Sequence, residues 1–137
     1  MLHAGIDLGS KTVKLVVFDD ALEVLYSSYE RHLSNVFETL AYTLKNASVH
    51  FPCEAMTFGV TGSAGMQLAE LLGLPFTQEV VSVRLAIKTL IPQTDTAIEI
   101  GGEDSKILFL TGGEELRMNS TCAGGTGGFI DTIAGML

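Results

Sequence analysis

The stretch AIEIGGEDSKILFL, Ala97 to Leu110, decides how this chain is read, because its outline occurs twice. An apolar run stops at two glycines, passes two carboxylates and resumes. The same outline stands near the N-terminus in GIDLGSKTVKLVVF, Gly5 to Phe18. An offset of 92 lays Ile6 on Ile98, Asp7 on Glu99, Leu8 on Ile100 and Gly9 on Gly101. It continues with Lys14 on Lys106 and with Leu15 to Phe18 on Ile107 to Leu110. Each copy reads as strand, carboxylate, glycine turn and strand. A carboxylate, a glycine and a lysine all in register point to internal duplication. Two such hairpins facing each other across a cleft would aim two glycine turns at one ligand.

Phosphate is the ligand that such turns suit. Glycine lets backbone N–H groups approach an anion with no side chain between, and successive N–H groups form an anion nest. Carboxylates beside the turns would repel bare phosphate, but they fit a Mg²⁺ ion held through water between acid and ligand. Asp7, Glu99 and Asp104 are the candidates. The competing reading makes Gly9 and Gly101-Gly102 plain hairpin turns with solvated acids; the shared register favours the ligand. A P-loop is excluded, since Gly9 lies four residues from Gly5 and Ser10 intervenes before Lys11. Neither glycine turn leads into a helix, which excludes the dinucleotide fingerprint.

Composition sets the outer bounds. The 137 residues suffice for one cored domain or two small lobes, and 47% hydrophobic with 18% charged residues is a globular composition. A formal net charge of −8 leaves no basic stripe for nucleic acid. Lys14 and Asp19 interrupt the longest early apolar run, so no membrane span is expected, and nothing reads as a signal core. A cytoplasmic protein is expected, in keeping with only two cysteines, Cys53 and Cys122.

Along the chain, Gly5–Leu8, Thr12–Phe18 and Leu22–Arg31 read as strands. Ser34 reads as the N-cap of a helix carrying Val36, Phe37, Leu40 and Leu44. Met56–Val60 is a short strand, and Ser63 opens a helix that closes at Gly73. Glu79–Leu90 is a helix stopped by Pro92. Strands at Thr96–Ile100, Lys106–Leu110 and Glu115–Met118 follow, with Gly112-Gly113 as a hairpin turn, and then a helix from Phe129 to Leu137. The class is α/β with mixed sheets.

A third motif is NSTCAGGTGGFIDTIAGML, where Cys122 precedes glycines at 124, 125, 127 and 128 and then a helix. A cysteine at such a helix start can act as thiolate ligand or nucleophile, and the loop itself can bind phosphate; an incidental cysteine in a flexible loop is the alternative. Cys53 and the methionines Met56, Met66 and Met118 read as core packing. His3, His32 and His50 are isolated and make no metal spacing.

GIDLGS, IEIGGEDSKI and MNSTCAGGTGGFID together resemble the BadF/BadG/BcrA/BcrD ATPase family, and within it the activators of 2-hydroxyacyl-CoA dehydratases of the CoA-substrate-specific enzyme activase type. The resemblance implies ribonuclease-H-like lobes of the actin and sugar-kinase type, here as a first lobe over 1–93 and the start of a second over 94–137. Asp7, Gly9 and Ser10 would match the first phosphate loop, with Lys11 beside them. Gly101, Gly102 and Asp104 would match the second, with Glu103 between. Asp7 and Asp104 are the catalytic candidates, and Asp7 and Glu99 the candidates to hold Mg²⁺ through water. Lys11, Glu99 and Glu103 depart from the family's usual residues. Cys122 would match the cysteine that binds a [4Fe–4S] cluster bridging a homodimer, which passes one electron to the dehydratase when ATP is used. Family ATPase domains are about twice as long, so the adenosine-binding segment and the second cluster cysteine would lie beyond Leu137. On that expectation the 137-residue chain alone binds ATP weakly and holds no cluster. The alternatives are a sugar kinase of the same fold, of the N-acetylglucosamine type with Asp104 as general base, and a non-catalytic nucleotide-sensing or assembly module.

Overall fold

The computed structural model describes residues 1–113, 115–119 and 124–137. Packing divides the chain into two units, Met1–Glu79 and Val80–Leu137. The division falls earlier than the lobe boundary at 93, so most of the helix ending at Leu90 belongs with the second unit.

In the first unit, β1 (Leu2–Leu8), β2 (Thr12–Phe18) and β3 (Val24–Arg31) form an antiparallel meander. After α1 (Val36–His50), β4 (Met56–Thr61) adds to β1 in parallel, giving the order β3-β2-β1-β4. α2 (Gly65–Leu72) follows β4. Alternation along the strands decides the faces. Leu2, Ala4, Ile6 and Leu8 of β1 and Val13, Leu15 and Val17 of β2 are buried, with Leu40 and Ala47 of α1 and Leu68 and Ala69 of α2 in the same core. Asp7 and Lys14 alternate with these residues and so project from the opposite face. A parallel crossover from β1 to β4 needs a covering helix, and α1 supplies it.

The second unit holds α3 (Glu79–Leu90, from Val80 on), then β5 (Thr96–Ile100), β6 (Ser105–Phe109) and β7 (Glu115–Met118) as an antiparallel sheet in that order, and α4 (Gly127–Ala134). Gly112 and Gly113, both at positive φ, make the β6–β7 turn, a conformation that glycine adopts without steric cost.

Several local expectations need correction. α1 begins after Asn35 and α2 after Ala64, and neither has a side-chain cap hydrogen bond, so Ser34 and Ser63 do not cap. α4 starts at Gly127 and ends at Ala134, short of Leu137. Gly73 does close α2, in the left-handed conformation with its N–H on the Ala69 carbonyl. Cys53 is exposed at positive φ rather than buried, and Met66 and Met118 are likewise exposed. Cys122 lies outside the described residues.

Candidate functional site

The first glycine turn joins β1 to β2. The N–H of Gly9 donates to the Thr12 carbonyl at 3.0 Å and closes it. Strand pairing sets Asp7 directly opposite Lys14, and Lys14 Nζ donates to Asp7 Oδ2 at 2.7 Å. Asp7 is 28% exposed, yet its other oxygen, Oδ1, is buried with no hydrogen-bond partner among the described residues. A buried acceptor left open in this way calls for a ligand, an ion or a water. Parallel pairing with β4 sets Thr61 on the other side of Asp7, and the chain there turns through Gly62 at φ +96°. A Cβ at Gly62 would lie 2.5 Å from Asp7 Oδ1 and 2.4 Å from the Leu8 carbonyl, so only glycine fits beside this carboxylate. Gly9 and Ser10 are half-buried and Lys11 is exposed.

The second turn repeats the first in register. The N–H of Gly101 donates to the Asp104 carbonyl at 2.8 Å, which extends the 92-residue offset to Thr12 and Asp104. Glu99 pairs with Lys106 across the strands, as Asp7 does with Lys14. Here the lysine is 4% exposed, and its Nζ sits 2.8 Å from Asp104 Oδ2 and 3.6 Å from Glu99 Oε1. Burying an ammonium is costly unless carboxylates face it, and the two acids meet that need. Glu103 is exposed at the tip.

The glycines after Cys122 also serve the second turn. The N–H groups of Gly127 and Gly128 donate to the carbonyls of Gly101 and Gly102, at 2.8 and 3.0 Å. A Cβ at Gly128 would stand 2.8 Å from the Gly102 oxygen, which explains the glycine pair as a close backbone approach. The first two N–H groups of α4 are thereby occupied by backbone rather than open to phosphate. Ser105 Oγ donates to the Gly125 carbonyl at 2.7 Å, and Asn119 Nδ2 donates to that of Gly124 at 3.3 Å. Both described flanks of Cys122 are therefore tied to β6 and its turn.

Sequence reasoning missed the roles of His32 and Gly62 and the ion pairs of Lys14 and Lys106. His32 is buried and bonded to the first turn through Gly9. The lysine matches were visible in the 92-residue offset, but not their carboxylate partners. Among the described residues no cluster of three or more metal-ligating side chains occurs, and no helix is long and apolar enough to cross a membrane.

A mixed sheet of meander plus parallel strand, with a glycine turn after a carboxylate in each of two repeats, defines the class of the actin and sugar-kinase-type ATPases. The comparisons agree with this. The profile of the BadF/BadG/BcrA/BcrD ATPase family matches residues 4–137, and the chain belongs to that family. It is 29% identical to the (R)-2-hydroxyglutaryl-CoA dehydratase activating ATPase of Acidaminococcus fermentans, over 97% of this chain and 52% of the relative. Component A of that dehydratase, in its crystal structure, superposes with a TM-score of 0.80 at 27% identity, covering 99% of this chain and 54% of that one. The activator of 2-hydroxyisocaproyl-CoA dehydratase from Clostridium difficile, solved with bound ADPNP, gives 0.78 at 28% identity, covering 99% and 52%. The chain spans about half the length of the curated relatives it matches along its whole length.

Proposed function

We propose that the chain is the ATP-binding part of an iron–sulfur activator, one that uses ATP hydrolysis to drive single-electron transfer to a 2-hydroxyacyl-CoA dehydratase or a related CoA-ester enzyme. The observation that carries this reading is the pair of hydrogen bonds from Gly127 and Gly128 to Gly101 and Gly102. They join a candidate phosphate turn directly to the segment that follows Cys122, which supports a coupling of nucleotide to that cysteine.

In this reading each glycine turn, closed by the N–H of Gly9 or of Gly101, offers a backbone N–H to phosphate oxygens: that of Ser10 at the first, beside Lys11, and that of Gly102 at the second, beside Glu103. Nothing in the chain geometry demands glycine at position 9. Its φ is not positive, and a Cβ there would sit 3.6 Å from its nearest neighbours, at ordinary contact distance. Room kept for an anion accounts for it. The open Asp7 Oδ1 fits a Mg²⁺-bound water, with Glu99 as the matching acid and Asp104 as the second catalytic carboxylate. A bound [4Fe–4S] cluster would supply the one-electron carrier, with Cys122 as one of the two thiolates that each protomer of a homodimer would contribute.

The test uses the protein at its natural length, purified without oxygen. About two irons per chain are expected, since one four-iron cluster would be shared by a dimer. Cys122→Ser should remove the iron while leaving ADPNP affinity within about twofold, because it changes one side chain and keeps the backbone bonds of Gly127 and Gly128 to the second turn. ADP release that depends on an added sugar, with no iron bound, would establish the kinase reading. Nucleotide binding with neither iron nor turnover would establish the sensing module.

A further inference from the structure

The geometry points to His32 as the residue that positions the first glycine turn for phosphate, an inference that rests on the nucleotide reading above. His32 directly follows β3, and the pairing of Arg31 with Thr12 brings it alongside the turn. It is 6% exposed. Its backbone N–H donates to the Lys11 carbonyl at 3.2 Å. The Ser34 N–H donates to its Nδ1 at 3.1 Å, which makes Nδ1 the acceptor and leaves the ring hydrogen on Nε2. Nε2–H then donates to the Gly9 carbonyl at 3.2 Å. Leu33 and Ser34 both hold positive φ, 46° and 73°, an unfavourable conformation for side-chain-bearing residues that brings the Ser34 N–H onto the ring.

The consequence follows from peptide planarity. In a trans peptide the C=O and the next N–H point in opposite directions. Holding the Gly9 carbonyl toward His32 therefore turns the Ser10 N–H away from His32, the direction from which phosphate approaches in the nucleotide reading. The donor is set before phosphate arrives, so binding need not reorganise the turn. His32 is a positioning residue in this account: it acts through the Gly9–Ser10 peptide.

The protein at its natural length is titrated with Mg·ADPNP by calorimetry, as wild type and as His32→Gln, His32→Asn and His32→Ala. Glutamine returns an N–H near the place of Nε2, and asparagine returns an acceptor near the place of Nδ1. His32→Gln should stay within about twofold of wild type, while His32→Asn and His32→Ala should lose about five- to tenfold, the worth of one neutral hydrogen bond. The Gln and Asn variants should melt at similar temperatures, since each gives up one ring bond, so stability alone would not separate them. The amide resonance of Ser10 should shift on adding Mg·ADPNP in wild type and in His32→Gln, and less in His32→Asn. Wild-type affinity in His32→Asn, or a loss in His32→Gln equal to that in His32→Asn, overturns the assignment. If the Asn and Ala variants do not fold, a His32→Gln protein whose Ser10 amide fails to respond overturns it. A wild-type protein that does not bind Mg·ADPNP overturns the nucleotide reading itself, and so the two failures are distinct.

Discussion

The hairpins at Gly9 and Gly101 share their hydrogen-bond closure and their carboxylate–lysine pairing, yet they stabilise the same geometry with different partners. At the first, the Gly9 carbonyl is held by a side chain, His32, and the lysine opposite Asp7 is 39% exposed. At the second, the carbonyls of Gly101 and Gly102 are held by the backbone of α4, and the matching lysine is 4% exposed. The position that is Thr12 in one copy is Asp104 in the other, and the added carboxylate is what lets Lys106 be buried. One hairpin is thus held by a buried histidine and a partly exposed ion pair, and the other by helix backbone and a buried lysine whose removal would leave two carboxylates without its charge. The repeat preserved the turn and let its supports diverge.

Substitutions at matched positions can break this contrast. The largest effect should come from Lys106→Met, which leaves Asp104 and Glu99 facing each other; about 2–3 kcal/mol of stability should go, below a fully buried pair because Asp104 is 41% exposed. Lys14→Met at the matching site should cost under about 1 kcal/mol, as exposed pairs do. Chemical denaturation of both variants measures the difference, and equal losses would mean the two lysines do the same job. Next, Gly128→Ala should gain about 1 kcal/mol in helix propensity but lose more to the clash with the Gly102 carbonyl, for a net loss of about 1 kcal/mol. A stabilised variant would show that α4 does not depend on that close approach. Gly101→Ala puts a Cβ 2.5 Å from Asp104 Oδ1, a side-chain atom that can move, and should cost about 1 kcal/mol. Gly9→Ala meets nothing closer than 3.6 Å and should change stability by less than about 0.5 kcal/mol, while weakening Mg·ATP binding about tenfold by crowding the phosphate. Unchanged ATP affinity in Gly9→Ala would remove the phosphate role of the first turn.

Much of this was legible in the sequence, because both hairpins are local. Thr12–Phe18, Glu79–Leu90, Thr96–Ile100 and Glu115–Met118 fall where periodicity and turn residues place them. The register of Gly9 with Gly101 needed only the repeat. What stayed hidden depends on pairing between distant segments. His32 reads as an isolated histidine, since its partner is a carbonyl 23 residues away that only the β2–β3 register brings near. Gly62 looks like any strand-ending glycine until β4 lies beside Asp7. Cys53 sits between Pro52 and a strand and reads as core, but the left-handed backbone there turns it out. The GGTGG run could be read as a phosphate loop because glycine permits close approach of either an anion or a peptide; the sequence does not say which one comes.

The bonds from Gly127 and Gly128 carry one more consequence, on the timescale of proton exchange with solvent. The first N–H groups of a helix ordinarily have no intrahelical partner and lose their hydrogens quickly in deuterated water. In this protein two of them are committed to Gly101 and Gly102, so both amides should exchange as slowly as the sheet they bind. They make a built-in clock on the second turn: any event there that lets go of α4 should appear first as a loss of protection at these two glycines.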